Sequence, residues 1–367
     1  MTYFLISFLV SLAFTFVGMP LLLHLCKVRG LYDMPNDRKL HSNKIPRLGG
    51  VFFAPAMLLG LMAALAYMLW NNGSLPTFGG PTLFVSIGLF LIYLIGLIDD
   101  ILGLNARIKF AVQFVSALLM PLCGLCLNNL YGLFGIYELP LYVGYPLTVF
   151  VSLLIINSVN LIDGIDGLAG SLSLIALGAL ALFFYDIHVV TYTIMAGGLM
   201  GSVLAFLYYN IWGRVERNTK TFMGDTGSLI LGYALAFLCI KHAMHNPGQL
   251  PYRPDALMIS YTLVLVPVFD LIRVAICRLL QGKSIFHADK THIHHKLMAA
   301  GLTMHQALIA IIALSLFFIG INMAGLRMDM AAQWIILLDI AIYWGILATL
   351  KVCESIYSNS FGKQTEP

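Results

Sequence analysis

Charge is what this sequence has least of. Only 10% of its 367 residues are Asp, Glu, Lys or Arg, where a soluble domain carries about a quarter. Hydrophobic residues make up 60%, and the mean hydropathy is +0.88. Such a chain cannot keep a water-facing surface, so lipid is its expected solvent. The net charge of +4 comes without a clustered aromatic and basic surface, which excludes nucleic acid as a partner. Cysteine is scarce too: six residues, at 26, 123, 126, 239, 277 and 353, make no disulfide framework. Cys123 and Cys126 form a CxxC inside an apolar run with no second pair, so they read as small apolar helix residues. The first 26 residues lack both a basic start and a small-residue cleavage site. They are expected to be a retained spanning helix rather than a signal peptide.

Apolar runs are what the chain has in abundance. Eleven are long enough to cross about 30 Å of hydrocarbon as helices. They lie near residues 2–26, 48–70, 80–98, 110–127, 146–162, 168–185, 190–211, 226–244, 256–280, 306–326 and 330–350. The expected fold is all-α and polytopic: one transmembrane catalytic domain over 1–355 and a short cytoplasmic tail over 356–367. With the N-terminus outside, the inner loops and helix ends hold 18 Lys and Arg residues. The outer side then holds Lys241, Arg253 and Arg327 alone. Basic residues gather on the cytoplasmic side, so this split predicts a multi-pass bacterial inner-membrane protein with a cytoplasmic C-terminus. The outer loop 128–145 carries Tyr131, Tyr137, Tyr142 and Tyr145, which suit interfacial anchoring.

The polar motifs all fall at inner ends. Asp99-Asp100 closes the third run, and adjacent carboxylates there need a cation or a proton to offset their repulsion. The plainer reading is a helix end marking the interface. Arg107 and Lys109 follow as cations able to meet phosphate. The fifth run ends in Asn157-Ser-Val-Asn160-Leu-Ile-Asp163-Gly-Ile-Asp166-Gly167, whose steps of three trace a slanting polar stripe on a helix. An Asp costs about 3 kcal/mol near a span's centre and less toward its end, so this clustering points to function. Gly164 and Gly167 let the backbone break and approach a ligand.

Gly224-Asp225-Thr-Gly227-Ser228 opens the eighth run, where a carboxylate and small residues leave room for phosphate beside unpaired N–H groups. Asp-Thr-Gly-Ser also matches an aspartic-protease signature. The only obvious second carboxylate, Asp186, falls at the opposite membrane face, which removes that reading. Asp289-Lys290-Thr-His292-Ile-His294-His295-Lys296 gathers three histidines in four residues. Without neighbouring cysteines or an HExxH helix, diphosphate donors fit better than zinc ligands. A solvated basic loop is the bland alternative. Between the first two runs, Pro35-Asn-Asp-Arg38-Lys39-Leu-His41 and Pro46-Arg47-Leu-Gly49-Gly50 supply either topology determinants or a lipid-phosphate clamp.

Taken in this order, from about Gly30 to Leu308, these segments resemble the polyprenyl-phosphate N-acetylhexosamine-1-phosphate transferases. His-Ile-His-His is similar to the branch that uses UDP-N-acetylglucosamine and starts O-antigen, common-antigen or teichoic-acid linkage synthesis. The muramoyl-pentapeptide branch shows three consecutive histidines, and Ile293 argues against it. The resemblance implies Mg²⁺, with Mn²⁺ as an alternative, held by Asn160 and Asp225. It implies Asp99 or Asp100 as the group that deprotonates or orients the lipid phosphate. Asp163 and Asp166 would position nucleotide or metal water. Lys109, Asn157, His292, His294, His295, Arg38 and His41 are the expected substrate-binding set. The partners are a UDP-sugar, a polyprenyl-phosphate lipid and the membrane, and a homodimer is left open. The competing class is a secondary transporter, for which Asp339, midway along the last run, would be central.

The charge asymmetry makes the orientation testable. In a background without the native cysteines, a single cysteine at Thr219 should be labelled only from the cytoplasm, and one at Asn72 only from outside. Outside labelling at Thr219 would invert the topology.

Overall fold

Helices fall in each of the eleven apolar runs, although that over 110–127 stops at Leu122. The computed structural model describes residues 1–32, 45–73, 75, 80–248, 252–284 and 291–361. Helix α1 covers Thr2–Arg29 and ends on Gly30, whose φ of 67° lets the chain leave left-handed. A 3-10 turn at Gly49–Phe52 leads into α2, Phe53–Asn72. Then come α3 (Gly80–Leu102), α4 (Ala106–Leu122), a hairpin of β1 (Asn129–Leu133) and β2 (Ile136–Glu138), and α5 (Leu141–Ile162). The chain continues through α6 (Leu168–Asp186), α7 (Val190–Ile211) and α8 (Gly224–Ala243). It ends with α9 (Ala256–Leu263), α10 (Leu265–Leu280), the short α11 (Ile293–Ala299), α12 (Met304–Arg327) and α13 (Ala332–Phe361). Among the described residues, nine helices are long and apolar enough to cross a membrane. The protein is an all-α polytopic membrane protein, and the hairpin is the only sheet among the described residues.

The core is largely apolar, but small polar side chains join apolar ones along the helix seams while large apolar ones also face outward. On α1, Ser7, Ser11, Thr15, Met19 and Leu23 recur every fourth residue and are buried, whereas Leu5, Leu9 and Leu21 are exposed. Ser7 Oγ donates to the Ile194 carbonyl of α7 at 2.9 Å, and Ser11 Oγ to the Ala56 carbonyl of α2 at 2.7 Å. Thr15 and Ser202 share a hydrogen bond of 2.7 Å. Lipid offers helices no hydrophobic contrast, so close packing and such bonds hold them together. The axis of the molecule is α8, almost wholly buried among α3, α5, α6 and α9. Glycines set its close approaches: a Cβ on Gly96 of α3 would lie 2.5 Å from Thr226 Cα, and one on Gly232 would lie 2.7 Å from Ile156 Cα of α5.

Two local expectations change. The sequence predicts one helix over 256–280, but two form, meeting at Val264. Pro267 has no N–H for the Leu263 carbonyl one turn back, and its ring crowds that carbonyl, so the helix breaks there. Within 128–145, α5 already starts at Leu141, so Tyr142 and Tyr145 stand on the helix. Tyr137 and Tyr142 are exposed as anchors would be, whereas the Tyr131 hydroxyl donates to the Ala243 carbonyl at 2.9 Å.

Asp339 is fully buried on α13. Its Oδ2 accepts from Asn322 Nδ2 of α12 at 2.9 Å and from the Tyr261 hydroxyl of α9 at 3.1 Å. It therefore ties three helices at the break in α9–α10. Replacing Asp339 with Leu should strand both donors and cost about 1–2 kcal/mol, lowering Tm in detergent. Asp339→Asn, which keeps an acceptor, should fall between. An unchanged Tm for Asp339→Leu would show that these bonds hold nothing.

Candidate active site

One carboxylate joins the two helices that build the site. The first amides of any helix lack partners within it, and at the start of α8 they find Asp100 of α3. Asp100 Oδ1 accepts from Asp225 N at 2.8 Å, and Oδ2 from Thr226 N at 2.9 Å and Thr226 Oγ1 at 2.5 Å. Both oxygens are thus committed, so the adjacent acids divide the work. The geometry needs Gly224, where φ is 73° and a Cβ would fall 2.0 Å from the Arg47 carbonyl. Arg47 in turn donates through Nε to the Asp100 carbonyl at 2.7 Å, holding the carboxyl end of α3.

Asp99 is left facing Asp225. Lys109 Nζ lies 3.2 Å from Asp99 Oδ2 and 2.5 Å from Asp225 Oδ2, bridging the two. Asp99 Oδ1 accepts from Leu104 N at 2.6 Å. Asn160, at the end of α5, donates to Asp225 Oδ1 at 3.3 Å and to Ser228 Oγ at 2.8 Å. Oxygens of Asp99, Asp100 and Asp225 lie within 4.8 Å of one another. An all-oxygen donor set with several carboxylates fits Mg²⁺ or Mn²⁺ and not a soft metal. Asp100 is spent on amides, so Asp225, with Asn160 and Asp99 beside it, is the carboxylate that could hold such an ion.

The rest of the polar stripe splits by function. Asp163 caps α5, is part-buried, and has no hydrogen-bond donor among the described residues. Burial pushes its carboxyl up to about 8, and the charges of Asp225, Asp166 and Asp100 push the same way. Asp166 is instead held by Lys220 Nζ at 2.6 Å and Asn210 Nδ2 at 3.4 Å. Asn210 also accepts from Gly167 N at 2.6 Å and donates to the Thr221 carbonyl at 2.8 Å. Asp166 therefore latches the 163–167 turn to the segment leading into α8. Asn157 donates to Gln113 Oε1 of α4 at 2.8 Å, one turn back from Asn160.

The histidine element reaches this turn. The His294 ring lies on Gly164 so closely that a Cβ there would sit 2.2 Å from Nε2. Neither ring nitrogen of His294 has a partner among the described residues. Burial, and then its neighbours His295 and His292, push the His294 ring down to about 3, so it is neutral near pH 7. His295 packs against it at 4.3 Å between ring centroids. His292 turns the other way, with Nδ1 2.7 Å from Asp270 Oδ2. Arg38 and His41 lie outside the described residues.

Sequence reasoning missed Asp270 and Lys220, and it had Arg47 and Thr226 inside its motifs without the partners that the structure gives them. Only Asp270 left a readable signal: with Arg273 it places a charged pair three residues apart in an apolar run, which membranes tolerate only when paired and placed for a purpose.

Fold and site together define an integral-membrane transferase whose polar residues gather at one end of a helical bundle. The family model for glycosyl transferase family 4 matches residues 82–243. The chain is similar to the undecaprenyl-phosphate alpha-N-acetylglucosaminyl 1-phosphate transferase of Yersinia pestis, with 30% identity over 90% of this chain and 85% of the relative. It is also 30% identical to the probable undecaprenyl-phosphate N-acetylglucosaminyl 1-phosphate transferase of Bacillus subtilis, over 92% of this chain and 88% of the relative. An Escherichia coli K12 enzyme of the same name as the Yersinia protein is 27% identical over 84% of this chain and 80% of the relative. The chain belongs to the undecaprenyl-phosphate N-acetylglucosaminyl 1-phosphate transferase family.

The raised carboxyl of Asp163 has a thermodynamic consequence. Below about pH 4 the group is protonated whether folded or not. Between that value and about 8 the unfolded chain has released a proton that the folded one keeps, so stability falls as pH rises. Above about 8 the loss is complete. In chelator-treated protein, Tm should decline from pH 5 to 9 more steeply for wild type than for Asp163→Asn. Equal slopes would show that this carboxyl is not held protonated.

Proposed function

We propose that this protein transfers N-acetylglucosamine-1-phosphate from UDP-N-acetylglucosamine to undecaprenyl phosphate and releases UMP, at the cytoplasmic face of the bacterial inner membrane. The observation that carries the reading is the convergence of Asp99, Lys109, Asn160 and Asp225 at one end of the bundle. The product would be the lipid-linked first sugar of a cell-surface glycan of the O-antigen, common-antigen or teichoic-acid type.

In this reading a lipid-phosphate oxygen attacks the phosphorus next to the sugar. The bond from that phosphorus to the bridging oxygen breaks, and its electron pair leaves on that oxygen as part of UMP. The sugar C1–O bond is untouched, so anomeric configuration is kept. Asp99 is the better placed of the acid pair to orient the lipid phosphate or take its proton, because Asp100 is saturated by α8. Lys109, now between two carboxylates, is placed to swing its ammonium onto a phosphate oxygen. Asp163 accompanies the approach of the nucleotide, and Asp166 keeps the 163–167 turn in place. His294, neutral and unpartnered beside Gly164, supplies a ring N–H to the diphosphate with His295 behind it. Magnesium, with manganese as an alternative, would be held by Asp225 and Asn160, and when bound neutralises charge on the diphosphate as it develops. Asn157, backed by Gln113, shapes the wall next to Asn160. Arg38 and His41 belong to the proposed lipid-phosphate side, and a homodimer is compatible with this arrangement.

Purified protein incubated with UDP-N-acetylglucosamine, undecaprenyl phosphate and magnesium should yield UMP and a lipid diphosphate sugar in equal amounts. UDP, in place of UMP, would mean that the sugar alone was moved and would overturn the reading. Asp225→Ala should lower turnover by at least about 10³-fold while the protein still inserts and keeps its Tm within a few degrees, the range for a group that acts chiefly in the transition state.

A further inference from the structure

A cavity of about 230 Å³ lies between the end of α1 and the segment that joins α7 to α8, at the same end of the bundle as the carboxylates. Its walls are tied down. Pro46 lines it, and the Pro46 carbonyl accepts from Phe222 N at 2.8 Å and from Thr221 Oγ1 at 3.1 Å. The 214–219 turn is closed by Arg214 N, which donates to Thr219 Oγ1 at 2.9 Å. Asn218 sits in that turn with a φ of 52°, a region that Asn enters more readily than most side chains. Leu23 and Ile45 give the cavity buried apolar walls, whereas Lys27, Tyr32, Asn218 and Lys220 give it polar ones. Lys27 stands one turn beyond Leu23 on the same face of α1.

The polar groups are short of acceptors. Among the described residues, the side chains of Lys27, Tyr32 and Asn218 have no hydrogen-bond or ion-pair partner. Lys220 Nζ donates to Asp166 Oδ2 at 2.6 Å and to the Asn210 carbonyl, which leaves one of its three N–H groups over. Asp166 offsets the charge of Lys220, but no lining residue is acidic and nothing offsets Lys27. An ammonium, a phenol, an amide and a spare N–H can all donate at once to an oxyanion. A cation would be repelled, and a neutral ligand would leave Lys27 unmatched. Basic pockets between helices at a membrane face suit phosphate headgroups.

We propose that this cavity is a second phosphate-binding site, separate from the Asp99, Lys109 and Asp225 centre and joined to it through Lys220. The ammonium that lines the cavity is the one that holds Asp166, so a bound phosphate sits one side chain away from the turn that carries Asp163. Two sources share this chemistry: a lipid headgroup at that face and a soluble phosphate. The site stands whatever sugar the active centre transfers.

The test uses full-length protein, delipidated in a maltoside detergent that contains no phosphate. The acylation rate of Lys27 by an amine-reactive ester, read by peptide mass spectrometry, is compared with that of the exposed Lys351. Phosphatidylglycerol and inorganic phosphate are titrated separately, with diacylglycerol as the phosphate-free control. At about ten times the half-protecting concentration the Lys27 rate should fall about tenfold, with Lys351 unchanged. Protection by phosphatidylglycerol alone assigns the phosphate to a lipid, and protection by inorganic phosphate assigns it to a soluble source. Asn218→Asp puts a carboxylate into the cavity on a residue that holds the same φ as readily. Half-protection should then need at least about five times more ligand, the scale of one charge at such a surface. Protection by neither phosphate, or equal protection by diacylglycerol, overturns the proposal in the wild type alone. An Asn218→Asp protein protected as well as the wild type overturns it too.

Discussion

The structure depends on a single constraint: the first amides of α8 lie at the end of an almost fully buried helix and must be satisfied by protein. Asp100 satisfies them with both oxygens. That contact fixes α3 against α8 at their shared end, and the glycines at 96 and 224 allow the backbones to come close enough. Everything chemical follows from that junction. It aims Asp225 and Asp99 at each other, and it places α8 where Asn160 of α5 can reach across. An acid pair that looks redundant in the sequence is therefore one structural group and one functional group.

The other carboxylates show the same economy of partners. Asp166 is matched by Lys220, Asp270 by Arg273 and His292, and Asp339 by an amide and a phenol. Membrane surroundings make an unmatched charge costly, so each pairing also fastens two or more segments together. Among the described residues of the site, Asp163 stands apart, with repulsion from its neighbours and no donor of its own.

Much of this was legible in the sequence, for physical reasons. A span needs about 20 apolar residues, so hydropathy alone finds the helices, and the misread at 256–280 turns on Pro267. Carboxylates at span ends are rare enough that Asp99-Asp100, the 157–167 stretch and Asp225 stood out individually. Which of them touch was not legible, because it is decided by helix–helix contacts between segments 65 to 126 residues apart. The split role of Asp99 and Asp100 illustrates this, since adjacent identical residues carry no local difference. Asp270 was hidden differently: it lies in an apolar run, and its partner His292 is 22 residues away across a connection that no periodicity describes.

Lys109 gives the site a further property. Two carboxylates this close repel one another, and a site with nothing else between them would loosen. Here a tethered ammonium spans Asp99 and Asp225. The protein thus carries its own monovalent counterion on a flexible four-carbon arm, able to step aside and return. The two carboxylates are held together by the protein's own charge, without help from any ion in solution.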